Sequence, residues 1–342
     1  MKFSYLSLFF SLIATPTLVA AQDTSISSQL ADKSLLLDII KLDAERFMAV
    51  GERGHILSGS NLTNTQQHVI PTKSTLTALT QNGNSIWAVG HDLTILYSPD
   101  KGETWHLQFQ DITSEKPFLD VLFFSESHGI AVGAYGAFYR TRDAGVTWQK
   151  ELNASLLHPD DQDYLDEIRE LDGEEFYLEE LASILPHFNR LNIANGVLYM
   201  VGETGLIAQS KDQGSSWERI DIDYDGSFFA LANTSKGLLV AGLRGNTFLQ
   251  TIDGWQSISL CEDASVNSVT VLDSNTVLAL QNNGYYSTID ISDMSRDVTC
   301  ADNKVSSIQI PEKASILNAI SFNDQIISVS ASGLSSLNNN KK

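Results

Sequence analysis

Short apolar runs that end in a small residue recur along the chain. They are Met48-Ala49-Val50-Gly51, Trp87-Ala88-Val89-Gly90, Ile130-Ala131-Val132-Gly133, Tyr199-Met200-Val201-Gly202 and Leu239-Val240-Ala241-Gly242, with weaker copies at Val277-Leu278-Ala279-Leu280 and Ile327-Ser328-Val329-Ser330. A two-residue turn and a second strand-like run follow each. Their last residues lie 39, 43, 69, 40, 38 and 50 positions apart. A period near 40 with four strand-like runs per unit marks a propeller blade. The pattern predicts an all-β fold, a seven-bladed β-propeller over residues 22–342. A helical solenoid of similar period would need apolar spacing of 3.6, and that appears in one place only.

That place accounts for the interval of 69. From residue 152 to 186 the chain becomes acidic, and Tyr164, Ile168, Leu171, Tyr177, Leu181, Ile184 and Leu185 recur at helical spacing. Gly173 divides two short helices and Pro186 stops the second. The prediction is an acidic helical insertion between blades three and four, a solvated hairpin, with a docking flap for a basic partner as the alternative. The seventh unit has only three strand-like runs before the polar tail 338–342. An open third strand would be an unpaired edge, so Thr24–Leu30 is expected to pair there as the ring-closing outer strand.

Between the third and fourth runs of three units stands Ser/Thr-x-Asp-x-Gly-x-x-Trp: Ser98, Asp100, Gly102 and Trp105; Thr141, Asp143, Gly145 and Trp148; Ser210, Asp212, Gly214 and Trp217. Thr251–Trp255 is a worn copy. The Asp accepts from backbone N–H groups of its own turn, the Gly supplies a positive φ, and the Trp opens the next strand with a large ring to bury. The pattern resembles the Asp-box, or BNR repeat, of β-propellers. Every group of the motif serves its own turn, so the expected role is structural.

Residues 1–21 read as a signal peptide: Lys2, an apolar run from Leu6 to Leu18, then small residues at Val19-Ala20-Ala21. Thr15, Pro16 and Thr17 interrupt the run before it reaches the ~20 apolar residues of a membrane span. The expected product is exported, periplasmic or secreted, and monomeric. Forty-two acidic residues against 22 basic ones, a formal charge of −20, exclude nucleic acid and anionic lipid as partners. Cys261 and Cys300 sit where oxidation is favoured. The strand reading puts them on opposite rims, with a loop at Cys300 long enough to reorient, so the paired and unpaired states both fit.

The runs Val50–Leu57, Trp87–Asp92, Gly226–Phe229 and Leu243-Arg244-Gly245 are similar to those of the photosystem II stability/assembly factor (Ycf48-like) family, in its bacterial non-photosynthetic branch. The similarity spans about residues 34–335. It implies a non-enzymatic propeller that binds a protein client, an accessory factor for a membrane or envelope complex, with no cofactor. An arginine-rich surface faces the client in the photosynthetic members, whereas this chain has nine arginines on an acidic background. The turns joining second to third strands fall on one face, and Glu52, Arg53, His91, Asp92, Tyr135, Glu203 and Arg244 are the candidate partner-binding residues, with Arg53 and Arg244 as anchors.

The alternative is a carbohydrate-binding or sialidase-like hydrolase propeller. It would need three converging arginines, for which Arg53, Arg140 and Arg244 offer themselves, but the Arg-Ile-Pro motif of sialidases is absent and Arg140 lies beside one of the repeated turns. Asp221, Asp223 and Asp225 before Gly226 match the first half of a calcium loop. Position twelve is Ala232 rather than Glu, so the reading is an alternating strand with its acids in solvent and no metal site.

Overall fold

The computed structural model describes residues 24–337. The signal segment 1–21 and the tail 338–342 lie outside the described residues. Six four-stranded antiparallel meanders and one three-stranded sheet succeed one another along the chain. Their first strands are Leu36–Lys41, Leu76–Asn82, Phe118–Phe123, Phe188–Ala194, Phe228–Asn233, Val266–Val271 and Ile316–Phe322. Each contacts the first strand of the next sheet, and the last contacts the first, so the sheets form a closed seven-bladed propeller around a central channel.

Three second strands, Phe47–Gly51, Gly129–Gly133 and Leu238–Gly242, are buried from end to end, and the others are buried beyond their first one to three residues. They lie between neighbouring sheets, which explains why they read as unbroken apolar runs. Outer strands alternate or are very short; Gln149–Lys150 and Glu218–Arg219 have two residues each.

One hydrogen bond recurs in all seven blades. The residue that opens the turn after the second strand donates its N–H to the carbonyl just before the first strand of the same blade. The pairs are Glu52 to Leu35, His91 to Thr75, Ala134 to Pro117, Glu203 to His187, Leu243 to Ser227, Asn282 to Ser265 and Ala331 to Ser315, at 2.9–3.1 Å. The bond draws two backbones together, and in five blades a glycine stands at the contact. A Cβ at Gly51, Gly90, Gly133, Gly202 or Gly242 would stand 2.0–2.3 Å from that carbonyl oxygen. Gly51 itself is extended, so the requirement there is steric rather than conformational. Blades six and seven carry Gln281 and Ser330 instead; Gln281 is buried and bonds the Ala264 carbonyl and Ser287.

Every first strand is bulged after its first residue, where the register to the second strand shifts. A bulge turns one extra side chain out of the ladder. Here those side chains turn toward the channel, and three of them bind blade to blade. Thr77 Oγ1 donates to the Phe118 carbonyl, Asn189 Nδ2 to that of Phe228, and Asn267 Nδ2 to that of Ile316, at 2.7–2.8 Å. One residue on, Asp38 accepts from Leu79 N–H and Asp120 from Leu191 N–H, while Asn318 Nδ2 donates to Asp38 and joins the last blade to the first.

Three expectations need correction. Thr24–Leu30 is not a strand, and the described sheet of blade seven stays three-stranded. The segment lies against blade one instead. Ser25 N–H donates to the Ile70 carbonyl, Ile70 N–H to Ser25 Oγ, and the Gln67 amide bonds Ser28 N–H and the Ile26 carbonyl. Its two large apolar residues, Ile26 and Leu30, are exposed, so it has no apolar face to offset the entropy of ordering as a strand. The ring closes through inner-strand packing, including the edge-to-face rings of Phe47 and Phe322, with Ala31 buried beside them. Second, the helices α1 (Pro159–Leu171) and α2 (Glu174–Ile184) do lie between blades three and four, but not as a free flap. Leu165, Tyr177, Leu181 and Leu185 are buried against Phe138, Phe188, Leu206 and Trp217. Third, the strand reading set the cysteines on opposite rims, whereas residues 291–304 fold back along the outer strand of blade five. Val298 exchanges hydrogen bonds with Ser257 and Ser259, and Cys261 and Cys300 are joined in a disulfide.

Gly90→Ala is expected to lower stability by about 1–3 kcal/mol, the cost of forcing a methyl into a closed contact. Urea denaturation followed by tryptophan fluorescence measures it; a variant as stable as wild type would show that the Thr75 carbonyl yields freely.

Candidate recognition face

The turns after the second strands share one geometry. Arg53, Asp92, Tyr135, Thr204 and Arg244 all have φ between 53° and 59°, and the next residue is also at positive φ: Gly54, Leu93, Gly136, Gly205 and Gly245. Two consecutive positive-φ residues make the type I′ hairpin turn, whose twist matches that of its strands. Arg53 and Arg244 thus occupy equivalent places in blades one and five.

In blades one and four the residue before the positive-φ position fastens the turn, and in blade two the positive-φ residue itself does. Glu52 Oε1 accepts from Leu35 N–H at 3.3 Å, and Glu203 Oε2 from His187 N–H at 3.0 Å; in the second blade Asp92 Oδ2 accepts from Ser74 Oγ at 2.6 Å. These carboxylates fasten the turn to the blade entry and are spent. Arg53 is left 79% exposed, with only the edge of Glu52 3.9 Å away. His91 and Arg244 are exposed as well. Tyr135 is exposed, packs edge-on to His187 with ring centroids 4.5 Å apart, and has the Lys116 ammonium over its face. The structure therefore brings Tyr135 and Glu203 together through His187, and it keeps Arg53 and Arg244 apart, in blades that are not neighbours. No insertion carboxylate pairs with either arginine among the described residues. Arg169, the one base in the helices, is taken by Glu174 and by the ring of Tyr177.

The opposite face is built differently. In each of the three repeated turns the Ser or Thr hydroxyl donates to the Asp and accepts from the Gly N–H. The Asp also takes the N–H and hydroxyl of the residue before the Trp. Those hydrogen bonds hold Asp100 and Asp212 down to about 2, and Asp143 below its ordinary value in the same way. Each turn is also anchored on the blade before it. Arg46 pairs with Glu103, the Gln108 amide donates to the Ala144 carbonyl, and Arg140 donates to the carbonyls of Gln213 and Gly214. Trp105 and Trp217 are buried in the seams so formed. The worn copy keeps only the Thr251 bonds, and Trp255 donates instead to the Asp221 carbonyl.

The arginine triad required by a sialidase does not assemble. Arg140 is buried, held by both oxygens of Glu151, in a seam on the side away from Arg53 and Arg244. Asp221, Asp223 and Asp225 are exposed, and among the described residues no three acidic, His or Cys side chains gather as a metal would need.

Sequence reading missed the centre of the ring. Arg190 lies 3.8 Å from Asp120 Oδ1, with Asp38 close enough to feel its charge. Burial pushes Asp120 up to about 6 and raises Asp38 too, although Arg190 and the backbone N–H groups oppose the shift. Only the third position of the inner strands, aligned across blades, reveals this cluster.

No protein-family profile matches the sequence, and no curated protein resembles it. Among solved structures it is similar to one described as "YCF48 bound to D1 peptide" (TM-score 0.63, 14% identity, covering 90% of this chain and 94% of that one). It is also similar to YCF48 from Cyanidioschyzon merolae (0.62, 14%, 89% and 95%) and to the WD40 β-propeller domain of Doa1 (0.60, 11%, 94% and 97%). At these identities the likeness establishes the fold, a seven-bladed propeller.

The carboxylates of the repeated turns give a signed pH effect. Asp100 and Asp212 have folded values well below the ordinary 3.8, so their contribution is complete above that value and is lost as pH falls toward 2. The Asp100→Asn/Asp212→Asn variant should lose less stability than wild type between pH 4 and 2, by thermal melts at each pH. Equal losses would show the turn bonds do not favour the ionised form.

Proposed function

We propose that this protein is an exported, non-enzymatic propeller that binds a protein client belonging to a membrane or envelope complex, through the face of the second-to-third-strand turns. The carrying observation is the asymmetry between the two faces. The repeated turns have committed their polar groups to themselves and to the blade before, whereas Arg53, His91, Tyr135 and Arg244 project exposed from rigid turns. Exposed side chains on a fixed scaffold are what recognition uses, and Arg and Tyr are enriched where binding energy concentrates. The similar propeller described as bound to a peptide supports a protein ligand. The acidic balance supports a client rather than a nucleic acid. No helix among the described residues is long and apolar enough to cross a membrane.

A charge-reversal pair, Arg53→Glu with Arg244→Glu, tests this face against Lys101→Glu in a repeated turn. In affinity capture from envelope extract, partners held by wild type should be lost by the first variant and kept by the second, both with wild-type circular dichroism. Retention of the same partners by both would remove the face from consideration.

A further inference from the structure

The mouth of the channel opens on the same face, because every first strand starts beside a second-to-third-strand turn. It encloses about 220 Å³, lined by the bulge residue of every blade together with Arg190. The blades alternate in what they contribute. Thr77, Asn189 and Asn267, from blades two, four and six, spend their polar groups on carbonyls of the following blade. Leu37, Leu119, Phe229 and Leu317, from blades one, three, five and seven, are half-buried and form an apolar collar.

Arg190 stands in this collar. Its approach to Asp120 is 3.8 Å, beyond hydrogen-bond reach. The Asp120 oxygens are already taken by the N–H groups of Val121 and Leu191. Among the described residues no acceptor reaches the guanidinium, which has five N–H donors in a fixed fork. The collar therefore offers apolar walls and unspent donors at one spot. The charge balance says what kind of acceptor suits them. Asp120, ionised above about pH 6, already lies 3.8 Å from this arginine, so a further carboxylate would meet a like charge there, and a neutral carbonyl does not. The volume falls below the roughly 300–1,000 Å³ of ordinary small-molecule pockets, and suits a side chain.

We propose that the channel mouth binds a peptide segment by taking one aliphatic or aromatic side chain into the Leu37/Leu119/Phe229/Leu317 collar, while the neighbouring main-chain carbonyl accepts from Arg190. This rests on the reading of the protein as a client-binding propeller and places the specificity pocket of that face on the ring axis. The polar network beneath keeps the guanidinium in place without consuming its donors.

The test uses methyl-resolved NMR of the full protein labelled at leucine, titrated with acetyl-Gly-Leu-Gly-amide, its Ser counterpart, and acetyl-Gly-Leu as the free acid. The amide should shift the Leu37, Leu119 and Leu317 methyls saturably, the Ser peptide should not, and the free acid should bind at least fivefold more weakly. Arg190→Met should weaken the amide at least fivefold. Phe229→Ala, which leaves every polar bond in place, should do the same and covers the case in which Arg190→Met fails to fold. The proposal is overturned by absence of a saturable shift, by equal binding of the Ser peptide, by tighter binding of the free acid, or by wild-type affinity in a folded Arg190→Met or Phe229→Ala. Titration of the Arg53→Glu/Arg244→Glu variant separates the two readings: loss of captured partners without loss of peptide binding leaves the collar standing, and the reverse leaves only the face.

Discussion

The contact from which the architecture follows is one backbone hydrogen bond, made seven times, between the turn after each second strand and the carbonyl that precedes the first. It fixes where the chain enters a blade relative to where it doubles back. That sets the height of the inner strand, the position of its bulge and the direction in which the bulge side chain points. A single such bond has a net worth of only about 1 kcal/mol. Its influence comes from being repeated around a closed ring, where an error in one blade would displace the next. The glycines at its foot are there because two backbones meet, and they punctuate the sequence for the same reason.

From that register the two faces acquire different chemistry. On one, the Asp-containing turns close on themselves and brace the preceding blade, through Arg46, Gln108 and Arg140 in turn. On the other, the tight hairpins of blades one and four leave a positive-φ residue with its side chain in water while the carboxylate beside it secures the entry strand. Rigidity and exposure are supplied by adjacent residues of the same turn. The helical insertion is rooted between these hairpins: Gly136 N–H donates to the Pro186 carbonyl, and Arg219 bonds the carbonyls of Leu156 and Thr204. Its acidic exterior therefore borders the recognition face as a fixed wall.

The blades were legible in the sequence because their markers are local: apolar runs buried on both sides, a glycine demanded by sterics, and a turn satisfied within eight residues. The insertion was legible for its change of period, but not its docking, because Tyr177 and Leu181 read the same on a free hairpin as on a packed one. Thr24–Leu30 misled because alternation alone does not say which edge a strand joins, or whether it joins one. Ser25 found Ile70 rather than the last blade. The channel cluster was illegible for another reason. Asp38 and Asn318 are 280 residues apart and meet only because the ring closes between them. The exposed arginines at the turns were visible as residue types, whereas their separation in space, and the better-placed Arg190, required the register of every blade.

The channel-side bridges also show where the ring is thinnest. Among the described residues, bonds from the inner strands span every junction but the one between blades five and six, where Phe229 and Ala230 have no polar side chain to give. That junction is where residues 291–304 cross back to the outer strand of blade five and where the disulfide lies. A closed ring is as strong as its weakest seam, and here the seam is covalent. A bridge closing a loop of 39 residues contributes roughly 3–4 kcal/mol in the chain-entropy description. The propeller is thus a belt with a buckle. Six joints are bridged at the channel, and the seventh is fastened farther out, by the Val298 backbone bonds, by Ser235 to the Ser274 carbonyl and by the disulfide.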